Sequence, residues 1–263
     1  MKDRVSYILE LDSKIADRYE NNLAIYRALI GCLDVTEISK LLIHSIEHDV
    51  ELRDLVNRKI YFDLSSKKIC CYEDLACKLL SIVKNSQYRV ALSAVMTLSI
   101  MLPYLSSQLQ LDILKTLTAS KWRLFRKRAY KFIKEHYSEA FTDMLITVTT
   151  EFADKEICEI LIDNFEPELL IEIRHFLLHS CPHPSHIPKL YTKISTIKPE
   201  LISELLEYDS CAYCYTLYKL GWSLEPSITN EALIDNAYDL DFLCWCLGRL
   251  DEWDKIIEIY EIT

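Results

Sequence analysis

The chain has 263 residues, half of them apolar, and only three glycines, Gly31, Gly221 and Gly248. Phosphate-cradling loops, dinucleotide fingerprints and nucleophile elbows need clustered glycines, so this scarcity argues against those enzyme classes. The net charge of −10 hides a division: residues 1–137 hold 22 basic and 16 acidic side chains, and residues 138–263 hold 8 and 24.

The start, Met1 to Lys14, is charged throughout and has no apolar run resembling a signal peptide. Val5 to Leu33 reads as one or two helices, with Ile8, Leu11, Ile15 and Tyr19 on one face. A helix pair follows at about 35–60, and Tyr61 to Cys70 reads as a loop. Further pairs are expected at 72–84 with 87–103, 107–119 with 121–137, and 139–150 with 153–165. The last three are 167–180 with 184–197, 199–208 with 210–220, and 229–237 with 239–260, the final helix broken near Gly248.

Local chemistry marks the helix starts. Pro167 and Pro199 suit a first turn, where the N–H is dispensable and φ is preset. Ser107 with Gln110 fits a capping box, and Ser120 and Ser138 can cap the helices after them. Asp235, Asp239 and Asp241 flank a helix junction and are expected to cap, while Glu200, Glu204 and Glu207 read as a solvated face. Val90 to Leu111 carries no formal charge, but its apolar part is shorter than the roughly 20 residues a membrane span requires. A buried helix ending near Pro103 accounts for it, and no membrane partner is expected. The ten cysteines lie at apolar helical positions, which predicts reduced core thiols in a cytoplasmic protein.

Two phrases recur at nearly equal intervals. Pro167-Glu168-Leu169-Leu170-Ile171-Glu172 returns after 32 residues as Pro199-Glu200-Leu201-Ile202-Ser203-Glu204. Ser86-Gln87-Tyr88-Arg89 returns after 34 as Ser120-Lys121-Trp122-Arg123. Two helices per unit at this period predict an all-α, right-handed α-solenoid of about six to seven antiparallel helix pairs. The expected layout is one domain over 1–263: N-terminal capping helices at 1–34, repeats at 35–220 and C-terminal capping helices at 221–263.

The pattern resembles HEAT and armadillo-type repeats over roughly 35–250. The resemblance rests on the aromatic-Arg pairs Tyr88-Arg89 and Trp122-Arg123 opening second helices, with Ala91, Ala94 and Ala129 at close packing positions. The Asp-Pro turn common between the two HEAT helices is absent, and the last units shrink below 30 residues. In HEAT-like arrays the second helices tend to form the concave wall, so the resemblance implies that side chains on those helices face a groove.

The basic helix from Lys121 to Lys134 is the sharpest candidate for a binding surface. At 3.6 residues per turn, Arg123, Lys127, Lys131 and Lys134 share one face, with Phe125, Ala129, Phe132 and Ile133 towards the core. Residues 75–134 hold eleven Lys or Arg and one acid, Asp112. The candidate contacts for an anionic partner are therefore Arg89, Arg123, Arg126, Lys127, Lys131 and Lys134. Three readings stand side by side: a solvated face neutralised by Glu139, Asp143, Glu151 and Glu156, an acidic protein partner, or nucleic acid.

No metal site or cofactor is assigned. His175, His179, Cys181, His183 and His186 cluster, but their spacing matches no standard zinc set, and Cys211 with Cys214 reads as one buried helix face. His44 and His48 repeat the i,i+4 spacing without cysteine support. Trp122, Trp222, Trp245 and Trp253 read as core anchors.

The leading functional expectation is a non-enzymatic protein-binding scaffold whose groove is basic in the N-terminal half and acidic in the C-terminal half. Head-to-tail self-association is a sub-case. The alternative is a nucleic-acid-binding protein, because the segment 75–134 is similar to the basic groove of HEAT-like alkylpurine DNA glycosylases. That family sets aromatic residues beside a catalytic carboxylate. Trp122 is followed by Arg123 instead, and the one adjacent Trp-Asp pair, Trp253-Asp254, lies outside the basic region. No catalytic residue carries over.

Overall fold

The computed structural model describes residues 3–15, 19–48, 52–66, 72–152, 154–180 and 185–262, without the side chains of 12–15, 19–22 and 180. The described residues form helices joined by turns and short loops, with no strand. They fall into two compact units, 1–141 and 142–263, within what the repeat spacing reads as one domain. The division nearly coincides with the charge boundary: 22 basic and 17 acidic residues in the first unit, 8 and 23 in the second.

The first unit runs α1 (Arg4–Ile15), α2 (Tyr19–Gly31), α3 (Val35–Glu47), α4 (Arg53–Ser65), α5 (Glu73–Asn85), α6 (Tyr88–Met101), α7 (Ser107–Thr118) and α8 (Arg123–Glu135). Short connections make each consecutive pair a hairpin, and like helices pack on like. The second helices α2, α4, α6 and α8 form one contiguous row, while α1 packs on α3 and α5 on α7. The core lies between the rows. Helices α5 and α6 pack together, and Leu75, Ala76 and Leu79 of α5 and Ala91, Ala94, Val95 and Leu98 of α6 are all buried. Ala91, Ala94 and Ala129 are fully buried, as close helix approach requires. Ile8 is also buried, and the side chains of Ile15 and Tyr19, expected on its face, lie outside those described.

The second unit runs α9 (Thr142–Glu151), α10 (Lys155–Asn164), α11 (Pro167–Ser180), α12 (His186–Ile194), α13 (Ser203–Tyr208), α14 (Ser210–Leu220), α15 (Asn230–Asp235), α16 (Leu240–Arg249) and α17 (Trp253–Ile262). Here α10, α12, α14 and α16 make the contiguous row, and α15 packs on α17. Pro167 opens α11 and Pro199 opens a 3₁₀ turn ahead of α13, where a missing N–H costs nothing.

Two local expectations need correction. Tyr61 to Ser65 is helix, not loop, because Leu64 continues the buried stripe of Ile60 and Asp63 is held in the helix. Its carboxylate takes the Lys59 ammonium at 2.6 Å and the Tyr72 hydroxyl at 2.9 Å. Residues 67–70 of the expected loop lie outside those described. The capping box at Ser107 and Gln110 is not formed, since Ser106 precedes the helix and the Gln110 amide donates to the Leu102 carbonyl. A complete box occurs instead at Asp34 and Glu37, opening α3. The final stretch is broken near Gly248, as expected: α16 ends at Arg249, and Asp251, with φ of 65°, turns the chain into α17. There the Glu252 N–H bonds the Leu247 carbonyl in the six-to-one closure of a Schellman turn.

Of the other expected caps, Asp239 accepts from the Phe242 N–H at 3.0 Å and Ser138 from Ala140. Ser120 accepts from the Trp122 N–H ahead of α8, whose N-cap is Trp122 itself, and Asp235 and Asp241 lie inside α15 and α16. Among the described cysteines, Cys32, Cys77, Cys211, Cys214, Cys244 and Cys246 are free thiols, whereas Cys158 is disulfide-bonded. Reduced thiols thus hold for six and not for Cys158, and a core position fails for Cys32 and Cys77, which are exposed. No described helix is long and apolar enough to cross a membrane.

Candidate protein-binding groove

The second helices of three successive hairpins, α4, α6 and α8, line a groove of about 560 Å³ within the first unit. On α4, Asp54, Arg58 and Tyr61 stand at i, i+4 and i+7, which stacks them along one face. From α6 come Met96 and Ile100, with Pro103 just beyond it; α8 supplies Arg128, Lys131, Phe132 and Glu135. Tyr61 and Met96 are exposed, so apolar surface faces solvent between cationic side chains.

Two buried or half-buried polar contacts fix the spacing of α4 and α6 beneath the groove. The Thr97 hydroxyl donates to Asn57 Oδ1 at 2.8 Å, and Arg53 Nη1 donates to Ser93 Oγ at 2.6 Å. A fully buried polar pair of this kind costs free energy unless both groups are matched, so it selects one register of the two helices. At the opening of α6 and α8, the Tyr88 and Trp122 rings meet edge to face at 5.4 Å, and both pack on Phe125.

The sequence-derived cation set divides. Lys131 lines the groove, 71 % exposed at its side chain and 4.0 Å from Glu135. Arg123, Lys127 and Lys134 are exposed further round α8, and Arg89 is exposed in the first turn of α6. Arg126 is buried, and its guanidinium donates to the Ser120 carbonyl at 2.8 Å, tying α8 to the turn before it. Arg58, Arg128 and Tyr61 were missed. For Arg58 and Tyr61 the i,i+3 spacing was available, but reading Tyr61 as loop hid it. Arg128 was passed over because it falls about 100° round the helix from Lys127, off the basic stripe.

In the second unit the cationic side chains are largely engaged by the fold. The Lys193 ammonium donates to the carbonyls of Ile162, Asp163 and Phe165 at 3.0, 3.3 and 2.6 Å, capping the end of α10. Lys189 pairs with Asp163. Lys219 lies over the Tyr215 and Tyr218 rings and Arg249 over Trp245. Phe242 and Trp245 stack at 5.7 Å. Trp245 and Trp253 are exposed, contrary to their reading as core anchors.

His175 and His179 are exposed on α11; Cys181 and His183 lie outside the described residues. Among the described residues no three His, Cys, Asp or Glu side chains are placed to hold a metal ion. His44 and His48 stack at 4.1 Å, and burial, then the neighbouring His48, pushes His44 below the usual imidazole range. Cys211 and Cys214 are buried with Cys246, and burial pushes the Cys211 thiol up to about 11 and that of Cys246 to about 12. Such thiols are packing groups, not nucleophiles.

Comparison with protein-family models, with curated proteins and with solved structures finds no match to this chain.

Proposed function

We propose that the protein is a HEAT-like α-solenoid scaffold whose first unit captures an acidic, amphipathic protein segment in the groove of α4, α6 and α8. The observation that carries this reading is the groove's mixed chemistry. Arg58, Arg128 and Lys131 stand beside exposed Tyr61 and Met96 and the half-buried Ile100. A nucleic-acid backbone offers phosphate and sugar but no apolar surface for such a floor, and its closely spaced charges would meet Asp54 and Glu135. A peptide places its carboxylates at chosen positions and fills the floor with apolar anchors. The alternation of helix rows within each unit supports the solenoid reading, and the excess of basic residues in 1–141 supports an acidic partner.

The test uses the whole chain and a designed acidic helical peptide carrying large apolar residues at i, i+4 and i+7. A charge-reversed peptide of equal hydrophobicity serves as control, with short duplex and single-stranded DNA and RNA as competitors. The acidic peptide is expected to bind with a Kd on the order of micromolar. Arg58→Glu with Arg128→Glu should weaken it at least tenfold. Equal affinity for both peptides, or binding of nucleic acid alone with a steep loss between about 50 and 200 mM salt, would overturn the proposal.

A further inference from the structure

We infer that the groove of one copy receives helix α17 of a second copy, so that the protein associates with itself head to tail. The inference rests on the groove reading above and names an occupant for it. Of sixteen large apolar side chains that are exposed among the described residues, four lie on the ten residues of α17. Trp253, Ile257 and Tyr260 are 61, 57 and 84 % exposed. Their i, i+4, i+7 spacing aligns them in one stripe about 10 Å long at 1.5 Å rise per residue. Asp254 and Glu261, both exposed, lie along one edge of the stripe.

The helix is held in place while this face stays open. Ile259 is buried on its inner side, the Lys255 ammonium donates to the Ile228 carbonyl at 2.7 Å, and Glu258 accepts from the Asn230 amide. What remains outward is an acidic amphipathic helix with the anchor spacing of helix-in-groove recognition. A contiguous exposed apolar face of this kind marks an interaction surface.

The receiving surface has the opposite charge and the same apolar character. Arg58, Arg128 and Lys131 can meet Asp254 and Glu261, while Tyr61 and Met96 take the aromatic and aliphatic anchors. At longer range the two units carry excess charge of opposite sign, which speeds encounter in this orientation. Because groove and helix are different surfaces, the contact is heterologous and adds copies in series rather than closing a symmetric pair. One helix in one groove buries less than about 1,200 Å² in total, so the association is weak and dynamic.

Sedimentation velocity of the full chain, at concentrations up to about 1 mM, reads the association directly. The expected result is a mass that rises with concentration, less so at about 200 mM than at about 50 mM salt. Two variants separate the surfaces: Ile257→Ser with Tyr260→Ser on the helix, and Arg58→Glu with Arg128→Glu in the groove. Each alone should stay monomeric with its circular dichroism and melting temperature kept. Mixed, they leave one intact groove and one intact helix, and should form a one-to-one dimer that grows no further.

A wild-type monomer at every concentration would overturn the inference, as would unchanged association of either variant or a mixture that forms no dimer. If the wild type is monomeric yet the designed peptide still binds, only the self-capture fails. If the peptide fails as well, the groove reading falls with it.

Discussion

Arg174 on α11 grips Glu204 on α13 through two parallel bonds, Nε to Oε2 at 3.0 Å and Nη2 to Oε1 at 2.9 Å. The Tyr191 hydroxyl of α12 donates to the same Oε2 at 3.0 Å. One carboxylate thus joins three helices of the second unit, although Glu200, Glu204 and Glu207 read from sequence as a solvated face. Arg174 was the hidden partner, 30 positions upstream, where no spacing rule within one helix could reveal it.

The bonds from Arg174 hold the Glu204 carboxyl below the usual carboxylate range, against the opposing effect of burial. A folded-state pKa lower than the unfolded value of about 4.3 gives stability that is complete above that value. It is lost as pH falls through the lower folded value. Glu204→Gln should therefore destabilise the protein by about 1 kcal/mol at pH 7, allowing for solvent screening of a partly exposed pair. Urea unfolding at neutral and acidic pH measures this. The wild-type advantage should shrink below about pH 4, and an advantage independent of pH would reject the assignment.

How far the fold was legible depended on whether the signal was local. Tyr88 and Trp122, matched in the repeated phrase, prove to be ring neighbours in consecutive second helices. A repeat places equivalent residues side by side, so a sequence echo becomes a contact. The buried face of α8 followed from periodicity alone, and Phe125, Ala129, Phe132 and Ile133 are all interior. Arg126 was not legible as interior, because its burial depends on the Ser120 carbonyl that the preceding turn presents. Tyr61 was hidden by the polar residues Asp63 and Ser65 beside it, and the Tyr72 hydroxyl that donates to Asp63 lies beyond the helix end. The groove needed three helices to be aligned, and sequence fixes each helix face without fixing their relative register.

The Asn57–Thr97 bond sets that register between α4 and α6. Thr97 is fully buried and Asn57 nearly so, which leaves little water to replace a lost partner. Thr97→Val keeps the shape but removes the donor, and should cost about 1–3 kcal/mol, the penalty of an unmatched buried acceptor. The same variant should weaken the designed peptide's binding, because Asn57 also lines the groove. Chemical denaturation together with a binding titration reads both effects. Unchanged stability would show that the bond does not fix these helices.

Thiol reactivity separates the cysteines. Cys32 and Cys77 are exposed, whereas Cys211, Cys214 and Cys246 are buried and burial raises all three thiols. With the Cys211 thiol at about 11, the thiolate fraction at pH 8 is on the order of one in a thousand. Brief alkylation at pH 8 followed by peptide mapping should label Cys32 and Cys77 and spare the other three until denaturant is added. Rapid labelling of Cys211 or Cys214 in the native protein would contradict a packing role.

Gly221 closes α14 in the left-handed region, with φ of 69°, and the Trp222 N–H completes the cap by bonding the Leu217 carbonyl at 3.0 Å. Open space surrounds the position where a Cβ would stand, so any penalty for a side chain comes from the backbone alone. Asp251 solves the same problem at the end of α16 with φ of 65°, and its carboxylate accepts from the Trp253 indole at 2.9 Å. Gly221→Ala should therefore lose about 1–2 kcal/mol, the cost of a left-handed L-residue, partly offset by a stiffer unfolded chain. Gly221→Asn should lose less, since asparagine tolerates this conformation. Thermal unfolding of the two variants side by side tests the assignment. A glycine needed for space would penalise asparagine more than alanine, whereas a glycine needed for φ gives the reverse order.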